Sequence, residues 1–231
     1  MSVRTVTVIG VIMSSTSVLA RVDSAAQAAH EIIRQLWILL FQFVECINIS
    51  NQAIVATALG ARDYPYALAV VKRHIVYAIS IVSAIAAICL ALQTHIVGLF
   101  TADAVVIAAA LTTIPLVTAC FPLDAVSSLL DGTLTAAGQA KWTATNATVG
   151  SFATFLVLVW AEQVTAMSVL RVWMCLKLMT VFRLPLVIHR TFFSSASPFV
   201  GALRGDAATV RVKALGEDRG CLLYTSPSPR D

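Results

Sequence analysis

Three carboxylates, Glu45, Asp124 and Asp131, fall inside apolar stretches long enough to cross a bilayer. On insertion scales a carboxylate at the middle of a span costs about 2.5–3.5 kcal/mol, so three facing lipid would cost on the order of 10 kcal/mol. They are therefore expected to face a protein interior or a watered cavity. Acids that hold and release a cation inside a membrane are working parts of a pump, an exchanger or a channel. Asp124 and Asp131 lie seven residues apart. Two helical turns put them on nearly one face, about 10 Å apart along the axis. That spacing is too wide for a dyad sharing one proton and suits two stations on one path. A reading of Asp131 as a helix-end residue stays open, because Gly132 and Gly138 follow it.

A polar stripe accompanies Glu45. Gln42, Glu45, Asn48 and Gln52 recur at spacings of three, three and four and share one face of a 3.6-residue helix. Within hydrocarbon such a stripe must meet water or another helix. One reading makes Gln42, Asn48 and Gln52 the lining of a cavity with Glu45 as its cation site. The other makes the stripe interhelical glue. Pro115 and Pro122 fall in the stretch that carries the two aspartates. Each removes a backbone donor and predicts a kink. A carbonyl freed near Asp124 would suit a proton or Na⁺ site. Arg171, Lys177 and Arg183 advance around a third helix. Arg171 and Arg183 are expected to snorkel to opposite interfaces. Lys177, nearest mid-span, calls for an acidic partner in a structural ion pair. His30, His74 and His95 read as structural.

The elements that must position these groups are helices. The chain has 231 residues, of which 58% are hydrophobic and only 12% charged, with a mean hydropathy of +0.85. Soluble domains carry about 25% charged residues, so the composition points to an all-α, polytopic membrane protein. Six spans are predicted, at about Val3–Ala20, Ile32–Leu59, Ile75–Phe100, Ala104–Ala137, Thr143–Ala161 and Ala166–Ile188. The Lys and Arg excess after the second, fourth and sixth spans places those connections and the N-terminus on the cytoplasmic side. Residues 191–220 read as a polar, largely disordered cytoplasmic tail, and residues 221–231 as a translated sequencing adapter. Cys46, Cys89, Cys120 and Cys175 lie singly in apolar segments, which predicts buried thiols and no metal site. No GxSxG, HExxH or P-loop motif occurs, so no enzyme and no cofactor is expected. The net charge of +4 has no aromatic-interleaved basic run, which argues against nucleic-acid binding.

At several of these residues the chain resembles the multidrug and toxic compound extrusion (MATE) transporters, in their C-terminal half and closest to the DinF-like, plant detoxification branch. Ala28-Ala-His-Glu-Ile32 resembles that family's AAHQI run. Asn51-Gln-Ala-Ile-Val-Ala-Thr-Ala-Leu-Gly-Ala-Arg-Asp63 resembles GQALIASAFAKGD, and Leu99-Phe-Thr-Ala-Asp103 resembles LFTDD. Pro122-Leu-Asp-Ala, followed by Asp131-Gly132 and Gly138, resembles the tenth helix of the family, and Trp173 with Arg183 resembles the twelfth. The resemblance covers about residues 3–190. It implies one six-helix lobe (residues 1–190, helices seven to twelve) of a twelve-helix antiporter. Such an antiporter exports a small organic solute against H⁺ or Na⁺ from a plasma or organelle membrane such as the plastid's. It implies coupling roles for Glu45, Asp124 and Asp131. Bearing both Asp124 and Asp131 departs from the branch, which often has Asn at the first position. The first span is short and an N-terminal lobe would be the expected partner. A fragment of a longer gene, without transport activity alone, is the competing expectation.

Overall fold

In the computed structural model, which describes residues 3–199, the chain runs through six helices. They are α1 (Val3–Ala20), α2 (Ser24–Gly60), α3 (Tyr64–Gly98), α4 (Ala104–Ala136), α5 (Ala140–Val164) and α6 (Val169–Ile188). A single π-helical turn, His189–Phe193, extends α6. Among the described residues no strand occurs. From α2 to the end of the π turn, five helices are long and apolar enough to cross a membrane. The 18 residues of α1 rise only about 27 Å, just short of a hydrocarbon core of about 30 Å. The protein is an integral, multi-pass membrane protein.

The starts of α2, α3 and α4 are set by acid caps, not by where apolar runs begin. Asp23 accepts a hydrogen bond from the Ala25 amide at 3.2 Å, Asp63 from Tyr66 at 3.0 Å and Asp103 from Val105 at 2.8 Å. Each satisfies an amide that the first helical turn leaves orphaned. This corrects the predicted starts of the second and third spans. α2 begins at Ser24, ahead of Ile32, and α3 at Tyr64, ahead of Ile75. Apolar runs mark entry into hydrocarbon, whereas the helices project past it. The 37 residues of α2 measure about 55 Å, so His30 and Glu31 ride on helix outside the apolar stretch, as Lys72, Arg73 and His74 do on α3.

The helices alternate in direction. Side-chain contacts pair Trp37 with Asp124 and Asn51 with Thr133, so α2 and α4 run parallel. Arg183 pairs with Asp131, which puts α6 in the same direction. α4 is the central staff, packed most extensively on α2, α3 and α6. One face of α4 gives Phe121, Leu129, Leu130 and Leu134 to a core shared with α2 and α3. Nearer its start, Val106, Ala110, Ile114 and Val117 join α1, α2, α5 and α6 in a second core. Outward faces stay apolar: Ile79, Ile81 and Ile88 on α3, and Phe152, Leu156 and Trp160 on α5, are exposed. Such surface is compatible with acyl chains and not with water.

α4 runs unbroken through Pro115 and Pro122. The Thr118 hydroxyl, between them, donates to the Ile114 carbonyl at 2.9 Å. Two corrections concern the C-terminal part. Residues 191–199 are not the start of a disordered tail: Thr191 and Ser197 are buried, and Phe199 is fully buried in the first core. The rest of the expected tail, with the adapter-like 221–231 segment, lies outside the described residues.

Candidate functional site

Helix α4 carries both aspartates to the interface with α6, where each meets a cation. Asp124, buried, is bound by the Lys177 ammonium at Oδ2. Thr180 donates its hydroxyl to Oδ1 at 2.7 Å, and the Trp37 indole donates to Oδ2 at 3.3 Å. Lys177 is itself held between two rings, its Nζ 5.4 Å from the Trp37 centroid and 5.7 Å from that of Trp173. Cation–π attraction is worth about 2 kcal/mol when desolvated. Carboxylate and two indoles thus surround the ammonium, and the Thr180 hydroxyl holds the far oxygen of that carboxylate. Lys177 and Thr180, three apart on α6, reach the same acid because residues at that spacing share a helix face.

Two turns along α4, Asp131 pairs with Arg183. The guanidinium stem needs room, and Gly150 on α5 supplies it. A Cβ there would lie 2.6 Å from Arg183 Cδ. Arg183 is therefore buried and ion-paired, which corrects the expectation that it snorkels to an interface. Arg171 does reach outward, bonding the Ala166 carbonyl near the start of α6. The acidic partner that Lys177 calls for is Asp124.

The two aspartates open onto one cavity of about 330 Å³ between α1, α2, α4 and α6. Its wall carries Asp124, Ser127, Ser128, Asp131, Thr180 and Arg183, faced by Val8, Ile9, Trp37 and Phe41. Wide apolar walls with a few convergent polar groups are the usual make-up of a small-molecule site. A smaller cavity of about 90 Å³ also reaches Asp124 and adds Ser15, His30, Arg34, Trp173 and Lys177.

The Glu45 stripe lies elsewhere. Glu45 is half-buried and does not line the larger cavity. Asn48 donates to it at 3.3 Å and lies 3.4 Å from the Ser128 hydroxyl. Gln42 is exposed. Asn48 and Gln52 straddle Gly132 on α4, where an added Cβ would meet Asn48 Oδ1 at 1.9 Å and Gln52 Nε2 at 2.9 Å. The stripe is thus placed at the α2–α4 contact, and none of Gln42, Asn48 and Gln52 is in the cavity wall. Beside it Asn51, overlooked in the sequence, donates to Thr133 Oγ1 at 2.8 Å. Trp37, Ser127, Ser128 and Thr180 were also missed. A tryptophan four helical residues from an apolar run's polar end carries some signal; the hydroxyls carry none, since Ser and Thr are common in spans. Pro115 and Pro122 face a separate hollow of about 210 Å³ with Ser83 and Leu90 of α3. Among the described residues no three His, Cys, Asp or Glu side chains converge as metal ligands.

With this geometry in place, comparisons with known proteins converge. The MatE family model matches residues 1–160. A chloroplastic protein of Arabidopsis thaliana, DETOXIFICATION 45, is 31% identical over 131 residues, which are 56% of this chain and 23% of that protein. Two solved structures superpose with a TM-score of 0.79 over 92% of this chain at 12% identity. One is an outward-facing multidrug resistance MATE family transporter of the MOP superfamily, of which 48% is covered. The other is a MOP superfamily transporter from Pyrococcus furiosus, titled for the reverse polarity of its binding pocket, of which 47% is covered. At that identity these two show the fold alone. The chain spans about half the length of the solved relatives and 23% of the curated one.

Proposed function

For a chain that belongs to the MatE family, we propose the role of one lobe of a secondary antiporter, exporting a small organic solute as H⁺ or Na⁺ enters. The observation that carries this reading is the buried ion pair between Asp124, which lines both cavities, and Lys177, which lines the smaller one. In the proposed cycle Lys177 occupies the carboxylate while solute is bound or awaited. An entering cation then takes Asp124 over, and the ammonium retreats to the faces of Trp37 and Trp173. The exchange adds one positive charge to the site, since Lys177 keeps its own when the entering cation takes its carboxylate; the faces of Trp37 and Trp173 offset part of that cost. Because Asp124 sits on α4 and Lys177 on α6, the exchange loosens the contact between two helices. That supplies the differential interaction a conformational change requires.

Asp131, with Arg183, is the second station of this reading. Glu45 stands apart from the cavity and reaches it only through Asn48 and Ser128, so its coupling role is subordinate. The apolar faces of Val8, Ile9 and Phe41 suit the carbon skeleton of a solute. A second lobe facing this one is the proposed partner.

Gradient-driven efflux of a fluorescent organic solute from proteoliposomes that hold this chain joined to a second lobe tests the proposal. Asp124→Asn is expected to abolish cation-driven efflux while leaving membrane insertion intact. Wild-type efflux from that variant would remove the assignment. A second reading, a membrane lobe that transports nothing by itself, is favoured by the coverage of 48% and 47% of the solved relatives. It predicts stable insertion of this chain with no flux until a second lobe is supplied.

A further inference from the structure

The smaller cavity contains polar groups that the exchange at Asp124 leaves unused. His30 is 1% exposed. Its Nε2 lies 3.4 Å from the Ser15 hydroxyl of α1, and its Nδ1 is buried without a hydrogen-bond partner. The Trp173 indole Nε1, also buried, likewise has none, and the two rings stand 5.7 Å apart. Both residues line the cavity of about 90 Å³. Buried polar atoms in native proteins are almost always satisfied. At about 30 Å³ per molecule the volume admits roughly three waters, enough to serve an imidazole nitrogen and an indole N–H together. The same cavity is bounded by Asp124 and Lys177 at one side and by Arg34 at another. Arg34 pairs with Glu31, whose side chain is 42% exposed. The cavity therefore brings His30 and Arg34, the partner of Glu31, to the same small space as the exchange site, among mostly apolar walls.

We propose that His30 is a proton relay that feeds Asp124 through this hydrated cavity. The inference rests on Asp124 as the coupling acid, and it commits the coupling ion to H⁺. A proton arriving at one ring nitrogen makes the imidazolium, and the other nitrogen releases a proton through water to the Asp124 carboxylate. The ring ends neutral, as it began. Asp124 ends as the neutral acid, and its partner Lys177 keeps its charge. Among the described side chains, the ionisable groups around the ring are Glu31 and Arg34 on its own helix, Asp124 on α4 and Lys177 on α6; α1 offers it the Ser15 hydroxyl. His30 is a positioning and transfer group, since in this account it touches no solute.

Time-resolved infrared spectroscopy on the full chain in lipid vesicles, after an acid jump, follows the Asp124 carboxyl band directly. In His30→Gln the band is expected to rise at least tenfold more slowly and to reach the wild-type extent. A purely structural histidine would move the extent as well as the rate. A wild-type rate in His30→Gln overturns the relay. Should His30→Gln fail to fold, the wild-type protein decides alone. Imidazole ring-mode changes must precede the Asp124 band, and their absence or simultaneous rise overturns the proposal. The Asp124→Asn control separates the two layers: a band that survives in it discards Asp124 as the coupling acid, whatever His30 does.

Discussion

Lys177 and Asp124 form an ion pair inside the bundle, with side chains only 8% and 6% exposed. The pair joins α6 to α4, and its Asp124 side opens onto the cavity of about 330 Å³. Three further side chains complete it: Thr180 bonds the second carboxylate oxygen, and the indoles of Trp37 and Trp173 flank the ammonium. Such a site is stable while occupied and costly to leave half-empty, because removing one partner of a buried pair strands the other.

The Asp131–Arg183 pair makes that cost measurable apart from transport. Asp131→Asn is expected to lower unfolding stability by about 3–5 kcal/mol, the usual penalty for an uncompensated buried charge. The double variant Asp131→Asn/Arg183→Gln should recover most of it. Denaturant titration of the detergent-solubilised protein reads both. Additive losses in the double variant would show that the two side chains are not coupled.

Gly132 sets how closely α2 and α4 approach. Gly132→Ala is expected to cost about 1–3 kcal/mol by overpacking, because its Cβ would sit 1.9 Å from Asn48 Oδ1. Asn48→Ala in the same chain should restore much of the loss by clearing the space. A lowered thermal midpoint in the single variant, partly regained in the double, is the measurement. An unchanged midpoint in Gly132→Ala would mean the helices are further apart.

Arg62 occupies left-handed backbone, with φ of +61°, at the turn between α2 and α3. The resembling family motif has glycine at this position. An L side chain there costs roughly 1–2 kcal/mol, so Arg62→Gly should raise stability by about 1 kcal/mol. Gly138, at φ +77°, predicts the mirror result: Gly138→Ala should lower stability by about 1 kcal/mol. Thermal unfolding scans compare the two, and opposite signs are the expected outcome.

How much of this was legible in the sequence differs by residue. The helices were, because apolar runs of span length have few other uses, and so was the need of Lys177 for an acid. Which acid was not: Asp124 and Asp131 present one face of α4, and only the register of α6 decides that Lys177 meets the first and Arg183 the second. The polar stripe stayed open between two readings for a related reason. A row of amides and a carboxylate satisfies its hydrogen bonds equally well against water or against α4, and periodicity is silent between them. Gly132 held the clue, since a glycine opposite Asn48 and Gln52 lets two backbones approach. Arg183 was read as a snorkelling end residue because its pocket is made by Gly150, which lies on another helix and leaves no trace in local sequence.

Coupling at this site requires Asp124 to give up Lys177 for the entering cation. Infrared difference spectra between cation-free and cation-loaded protein in lipid vesicles report this at the carboxyl group itself. The expected result is a carboxylate change on loading that disappears in Asp124→Asn and persists in Glu45→Gln. Loading bands that are unaltered in Asp124→Asn would contradict the account.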